Sequence, residues 1–282
     1  MKRAVALICT LSFAVAAAGV IRRAAAQPPL PKRLHWAITL TSADGVVGSM
    51  SSTGALVVKR GGLTCSATLS EVQRLELEQM VKTAEPTRWP ASRDGALLKL
   101  ARETETFETS VAESSLPADL SALYSGAAGL RDTYLNVCTT GATTSWAIES
   151  FEEGGFIYRY HRVTVDSSGN VTVQPNSHSN ACKHVLDAAE TAQFADLVLA
   201  ANPLAWATTY VRKENPSGCC DQIHSGFRLF RVSGNVSASF LTDWFSDHDA
   251  LPSDLTAIDE RLFGPLGTAL FERYGAACGP VF

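Results

Sequence analysis

The second half of this chain restates its first, and a repeat of this length limits the fold more than any single motif does. Trp36-Ala37-Ile38 returns as Trp146-Ala147-Ile148, and in each copy a glycine, Gly45 or Gly155, follows nine residues after the tryptophan. Cys65, Pro86 and Trp89 keep the mutual spacing of Cys182, Pro203 and Trp206. The octapeptide Leu116-Pro117-Ala118-Asp119-Leu120-Ser121-Ala122-Leu123 returns as Leu251-Pro252-Ser253-Asp254-Leu255-Thr256-Ala257-Ile258. The offset grows from 110 to 117 to 135 residues, so the second copy carries two insertions. The reading is tandem duplication of one small domain: residues 35–130 and 145–282, with residues 131–144 as linker.

Local signals give each copy the same elements. Residues 35–41 alternate apolar and polar side chains, as a half-buried strand does, and Asp44-Gly45 turns the chain before a strand over 55–59. Ser70 with Gln73, and Asp187 with Glu190, have the spacing of a capping box, in which side chains satisfy the helix's first free N–H groups. In the first helix Val72, Leu75, Leu77, Met80, Val81 and Ala84 form the expected core face. Pro86 and Pro203 stop the two helices, and Trp89 and Trp206 fold back as apolar plugs. Further strands are expected over 96–101 and 105–111, and in the second copy over 156–165, 210–213, 227–232 and 236–241. A second helix starts with Pro117 or Pro252 as its first residue. Each copy therefore reads β-β-α-β-β-α, and the fold class is α+β: two repeated domains, each an antiparallel sheet with two helices on one face.

Residues 1–26 read as an export signal: Lys2-Arg3, an apolar run to Ile21, and Ala-x-Ala sites ending at Ala18 and Ala26. Arg22-Arg23 after the run keeps an uncleaved anchor open as the alternative, and only then would the protein touch a membrane. Residues 27–34 are a Pro-rich stem. Loss of the four basic residues of the leader takes the formal net charge from −4 to −8. An acidic chain with scattered cations is poorly suited to nucleic acid, whose phosphates require clustered positive charge.

Six cysteines follow the leader, Cys65, Cys138, Cys182, Cys219, Cys220 and Cys278, and an even number in an exported chain reads as disulfides. Fifteen connectivities are formally open. The preferred one sends one sulfur of the vicinal pair Cys219-Cys220 to Cys182 and the other to Cys278, leaving Cys65 for Cys138. Asn170-Val171-Thr172 and Asn235-Val236-Ser237 are sequons at expected turns, usable in a eukaryotic host.

No nucleophile elbow, zinc-protease helix, dinucleotide loop or phosphate loop is present in the sequence, so an enzyme, such as a hydrolase, ranks third among the functional classes. His178, Cys182 and His184 have ligand-like spacing, but the first copy's Cys65 has no histidine nearby, which favours a structural cysteine over metal. Asp243, Asp247, His248 and Asp249 lack the glycine and spacing of a calcium loop. No metal and no cofactor is expected. What distinguishes the second copy is Gly154, Gly155, Phe156, Tyr158 and Tyr160, aromatic groups beside a glycine turn and the composition of a recognition surface.

The run Glu153-Gly154-Gly155-Phe156, then Asp221, Gly226-Phe227-Arg228-Leu229 and Leu251-Pro252-Ser253-Asp254-Leu255, resembles the emfourin family of small protein inhibitors of thermolysin-like metalloproteases. The resemblance covers about 115 residues of the second copy and, more weakly, the first, where Asp44-Gly45-Val46 stands in place of Gly-Gly-Phe. It implies a rigid scaffold that presents the Gly154-Gly155 turn to a protease cleft. The expectation is thus a secreted, monomeric, non-enzymatic binding protein with a protein partner, in its most specific form a metalloprotease inhibitor. An envelope or cell-surface structural module without a protease partner is the alternative.

Overall fold

The structure, a computed structural model, describes residues 33–90, 95–111, 116–155, 159–211, 222–246, 248–264, 269–275 and 278. The leader, Phe156, Tyr158, Cys219, Cys220 and Asp247 lie outside the described residues. The first half runs β1 (Trp36–Thr41), β2 (Val47–Ser51), β3 (Ala55–Arg60), β4 (Leu63–Thr68), α1 (Glu71–Thr83), a 3-10 turn (Pro86–Arg88), β5 (Ala96–Arg102), β6 (Glu105–Val111) and α2 (Ala118–Thr140). The second runs β7 (Ser145–Gly154), β8 (Arg159–Asp166), β9 (Asn170–Gln174), β10 (Cys182–Val185), α3 (Ala188–Ala200), a 3-10 turn (Pro203–Ala205), β11 (Thr209–Tyr210), β12 (Ile223–Ser233), β13 (Val236–Phe245), α4 (Ser253–Phe263) and α5 (Leu270–Gly275).

These strands do not form two domains. They form one 13-stranded sheet in the order β10-β9-β8-β7-β12-β13-β4-β3-β2-β1-β5-β6, with short β11 parallel to β13 and every other pairing antiparallel. Leu34–Phe282 is one compact unit. The expected fold of two separate sheets, each with two helices, is therefore corrected to one shared sheet with, among the described residues, five helices. The cause is a seam: β4 pairs with β13, Leu63 opposite Phe240 through Ala67 opposite Val236. The backbones approach so closely there that a Cβ on Gly62 would collide with the Leu241 carbonyl oxygen. Residues 131–140, read as linker, are the second half of α2, which packs on β1 to β4 and reaches β12 and β13 beyond the seam. Strands β2, β4, β9 and β10 were not anticipated; β2 and β4 are rich in Ser, Thr and Gly, which mutes the apolar alternation.

The two halves nevertheless repeat inside that sheet. The order β4-β3-β2-β1-β5-β6 is matched by β10-β9-β8-β7-β12-β13. Arg102 donates to the carbonyls of Val81 and Ala84 at the end of α1, and Arg231 donates to those of Val198 and Ala201 at the end of α3. These are the free carbonyls of a helix terminus, and a guanidinium satisfies two of them at once. Asp119 Oδ2 accepts from the Glu85 N–H (2.8 Å) and the Trp89 indole (2.9 Å); Asp254 Oδ2 accepts from the Asn202 N–H (2.8 Å) and the Trp206 indole (3.1 Å). Both capping boxes form as their spacing predicts.

One face of the sheet is buried across its inner strands. Leu100, Ile38, Met50 and Leu56 line up across β5, β1, β2 and β3, and Phe240, Leu229, Ile148 and Val165 across β13, β12, β7 and β8, all of them buried. The α1 face differs from expectation at two positions, since Val72 (65% exposed) and Leu75 (48%) point to solvent while Arg74 and Glu78 join Leu77 and Val81. Arg74 is bound by Glu71 and Glu78, so burying it leaves no bare charge. Pro117 and Pro252 are caps rather than first helical residues.

Cys65 bonds Cys138 as expected, but Cys182 bonds Cys278 directly, which corrects the assignment of both to the vicinal pair. The physical reason is the repeat: each bond ties the fourth strand of its half to the chain returning above it. The two disulfides fit an oxidising, extracytoplasmic compartment. Among the described residues no helix is long and apolar enough to cross a membrane.

Candidate functional site

The opposite face of the sheet bears half-exposed side chains, and the two halves differ sharply there. In the first half Thr39, Thr41, Val47 and Ser110 stand where the second has Glu149, Phe151, Arg162 and Asp243. The strand pairing gathers the latter residues into rows. Arg162, Phe151, Gly226 and Asp243 lie in line across β8, β7, β12 and β13, and Tyr160, Glu153, His224 and Phe245 form the next row. Gly226 is required because the Phe151 ring lies over it, where any Cβ would collide.

His224 sits at the centre of this patch. Phe151 meets it edge-on at 5.5 Å, and Phe245 stacks on it at 5.0 Å. Its Nδ1 is 3.5 Å from Glu153 Oε1 and its Nε2 is 3.8 Å from Asp243 Oδ2. Beside it Glu149 receives Arg162 in a close ion pair and Arg228 at 3.8 Å, and the Arg228 guanidinium lies 5.7 Å from the Phe230 ring. Glu149, Phe151, Glu153, Tyr160 and Arg162 line a shallow cleft of about 240 Å³. Asp243 Oδ1 and Gln222 Oε1 are buried and have no hydrogen-bond partner among the described residues.

The Gly154-Gly155 turn borders the patch. Both glycines have positive φ (101° and 84°), which side chains rarely adopt, and the Gly155 N–H donates to the Gln222 carbonyl at 3.1 Å. A Cβ on Gly154 would stand 2.8 Å from that same carbonyl oxygen, so the turn is fixed against β12 by both sterics and hydrogen bonding. Of the sequence-selected residues, Gly154, Gly155 and Tyr160 therefore come together beside His224. The sequence reading missed Glu149, Phe151, Arg162, His224, Asp243 and Phe245. Their signal was present as charged and aromatic residues at alternate strand positions, but strands two apart in space are up to about 90 residues apart in the chain.

Beneath the turn, on the helix-covered face, the second half also differs. Glu152 Oε2 lies 3.6 Å from His161 Nδ1, and His161 stacks on Phe271 of α5 at 4.1 Å. Asp259 of α4 faces this pair; burial, reinforced by the charges of Glu152 and Glu260, pushes its carboxyl up to about 7. The corresponding first-half residues are Ser42, Val46 and Tyr124, none of them charged.

The other candidate groups separate. Cys182 is in a disulfide, His184 stacks on Tyr274 at 4.3 Å, and exposed His178 sits in a turn before β10. Among the described residues no group of three or more His, Cys, Asp or Glu is arranged to hold a metal ion. Asn170 opens β9 with its amide bound to both Asp166 oxygens, while Asn235 stands exposed at the tip of the β12–β13 hairpin. Comparison of the chain with models of protein families, with curated proteins and with solved structures found no match.

Proposed function

We propose that this is an exported, non-enzymatic binding protein that engages a protein partner through the Gly154-Gly155 turn and the adjoining open face of β7, β8, β12 and β13. The observation that carries this reading is the divergence of two otherwise repeated faces. Although Lys99 already stands at the Arg228 position, the first half has Thr39, Thr41, Val47 and Ser110 where the second places Glu149, Phe151, Arg162 and Asp243 beside a rigid turn. A disulfide-held sheet loses little conformational freedom on binding, and exposed Arg and aromatic groups at such a patch are the residue types that dominate interface energies. The charge and apolar pattern of residues 1–26 and the two disulfides support export.

The emfourin resemblance of the second half supplies the most specific partner, a thermolysin-like metalloprotease blocked sterically by the turn. The test is titration of the purified protein against such a protease. Residual cleavage is expected to fall as the complex forms, and Arg228→Glu, which reverses a half-exposed charge in the patch, is expected to weaken it about tenfold or more. Unchanged cleavage at about 10 μM protein would remove the protease reading. Capture of wall or membrane components by the same patch would then favour the structural module.

A further inference from the structure

The strand order ends on β10 at one side and on β6 at the other. The seam inside the molecule joins β13, the sixth strand of one half in sheet order, to β4, the outer meander strand of the other. Their counterparts are β6 and β10, the two outer strands, each with one neighbour among the described residues. We propose that β6 of one molecule pairs with β10 of a second copy, so that the protein associates head to tail in solution, a departure from the monomer suggested by its sequence.

Charge chooses this arrangement over the others. Within the seam the positions that correspond to Glu105 and Glu108 of β6 and to Lys183 of β10 are Ala238, Leu241 and Ser66, all uncharged. The outer edges are therefore charged, and oppositely so. Pairing β6 with β6 would set glutamates against glutamates, and β10 with β10 would bring lysines together; only the heterologous pairing places unlike charges across the ladder.

The strands also fix a register. In the seam Leu241 donates its N–H to Gly62, so Glu108, its counterpart, directs its backbone groups away from β5 and toward the free side. The seam's own register cannot recur, because Val236 and Ser237 pair within it and their counterparts Glu103 and Thr104 lie in the short β5–β6 turn. β10 has four residues and β6 seven. Two antiparallel registers use all of β10 and keep helix-side residues on the helix side. One of them sets Glu108 opposite Lys183, with Thr106 opposite Val185 and Phe107 opposite His184. Val185, 71% exposed, would be covered by it.

A four-residue ladder gives weak, salt-sensitive association, because its central ion pair is solvent-accessible. Sedimentation velocity on the chain recovered from a secreting host, from about 1 μM to about 1 mM in low salt, tests this. Wild type is expected to grow in mass with concentration. Glu108→Lys alone and Lys183→Glu alone are expected to stay monomeric over the same range, since each sets like charges opposite one another at the 108–183 position. The double variant carrying both changes, and an equimolar mixture of the two single variants, should recover association. A wild type that stays monomeric throughout overturns the proposal. So do single variants that associate as wild type does, or a double variant that fails to recover.

Discussion

Replacing Asp254 with alanine is expected to lower stability by about 2–4 kcal/mol, and Asp119→Ala by a similar amount. Each carboxylate holds a backbone N–H and a tryptophan indole at the point where the chain leaves one helix and begins the next. Removal strands the indole N–H of a largely buried ring, Trp206 or Trp89, and takes a negative charge from the first turn of α4 or α2. In Asp119 burial works against ionisation, yet the Glu85 N–H and the Trp89 indole outweigh it and hold the carboxyl below its usual value. Chemical denaturation followed by circular dichroism would read both variants. Because the halves share one sheet, each substitution should shift a single transition, and the losses should add in the double variant. Two resolved transitions, only one of them moved by each substitution, would contradict a sheet that unfolds as a unit.

Asp259→Asn should act in the opposite direction and only at higher pH. The folded-state value near 7 lies above the ordinary aspartate value of 3.8, so the native state holds this proton more tightly than the unfolded chain does. The protonated carboxyl therefore favours folding as pH falls from about 7 toward 4, and ionisation opposes it above 7. An asparagine, isosteric with the neutral acid, is expected to raise stability at pH 8 by roughly 1–3 kcal/mol and to change it little at pH 4. Denaturation midpoints of wild type and variant at those two pH values measure this. A gain of equal size at both would assign the effect to packing, not to the charge beside Glu152.

Much of this protein could be read in the chain because it is local. The Ser70/Gln73 and Asp187/Glu190 capping boxes involve residues three apart, and both form. The alternation of Trp36-Ala37-Ile38 and Trp146-Ala147-Ile148 reports which side chains face the core, and Trp36, Ile38, Trp146 and Ile148 are buried. The α1 face misled at Val72 and Leu75, since a buried Arg74 with two glutamate partners fills a place that hydrophobicity alone would deny it. The patch around His224 was only partly legible. Its turn stood out as Gly154-Gly155, but Glu149, His224 and Asp243 become neighbours only through pairings that no local pattern encodes.

The sequence by itself determined the internal repeat, the two capping boxes and the glycine turn. These follow from residue spacing and from the conformations that Pro, Gly and capping side chains impose. Only the tertiary structure decided that the copies share one sheet, that Cys182 takes Cys278, and that the second copy's open face collects charge around a histidine. The reason is that a strand-to-strand seam is made of backbone N–H and C=O groups, which every residue but proline carries alike. Such a seam leaves no signature in side-chain order, and what it brings together is visible only once the strands are laid side by side.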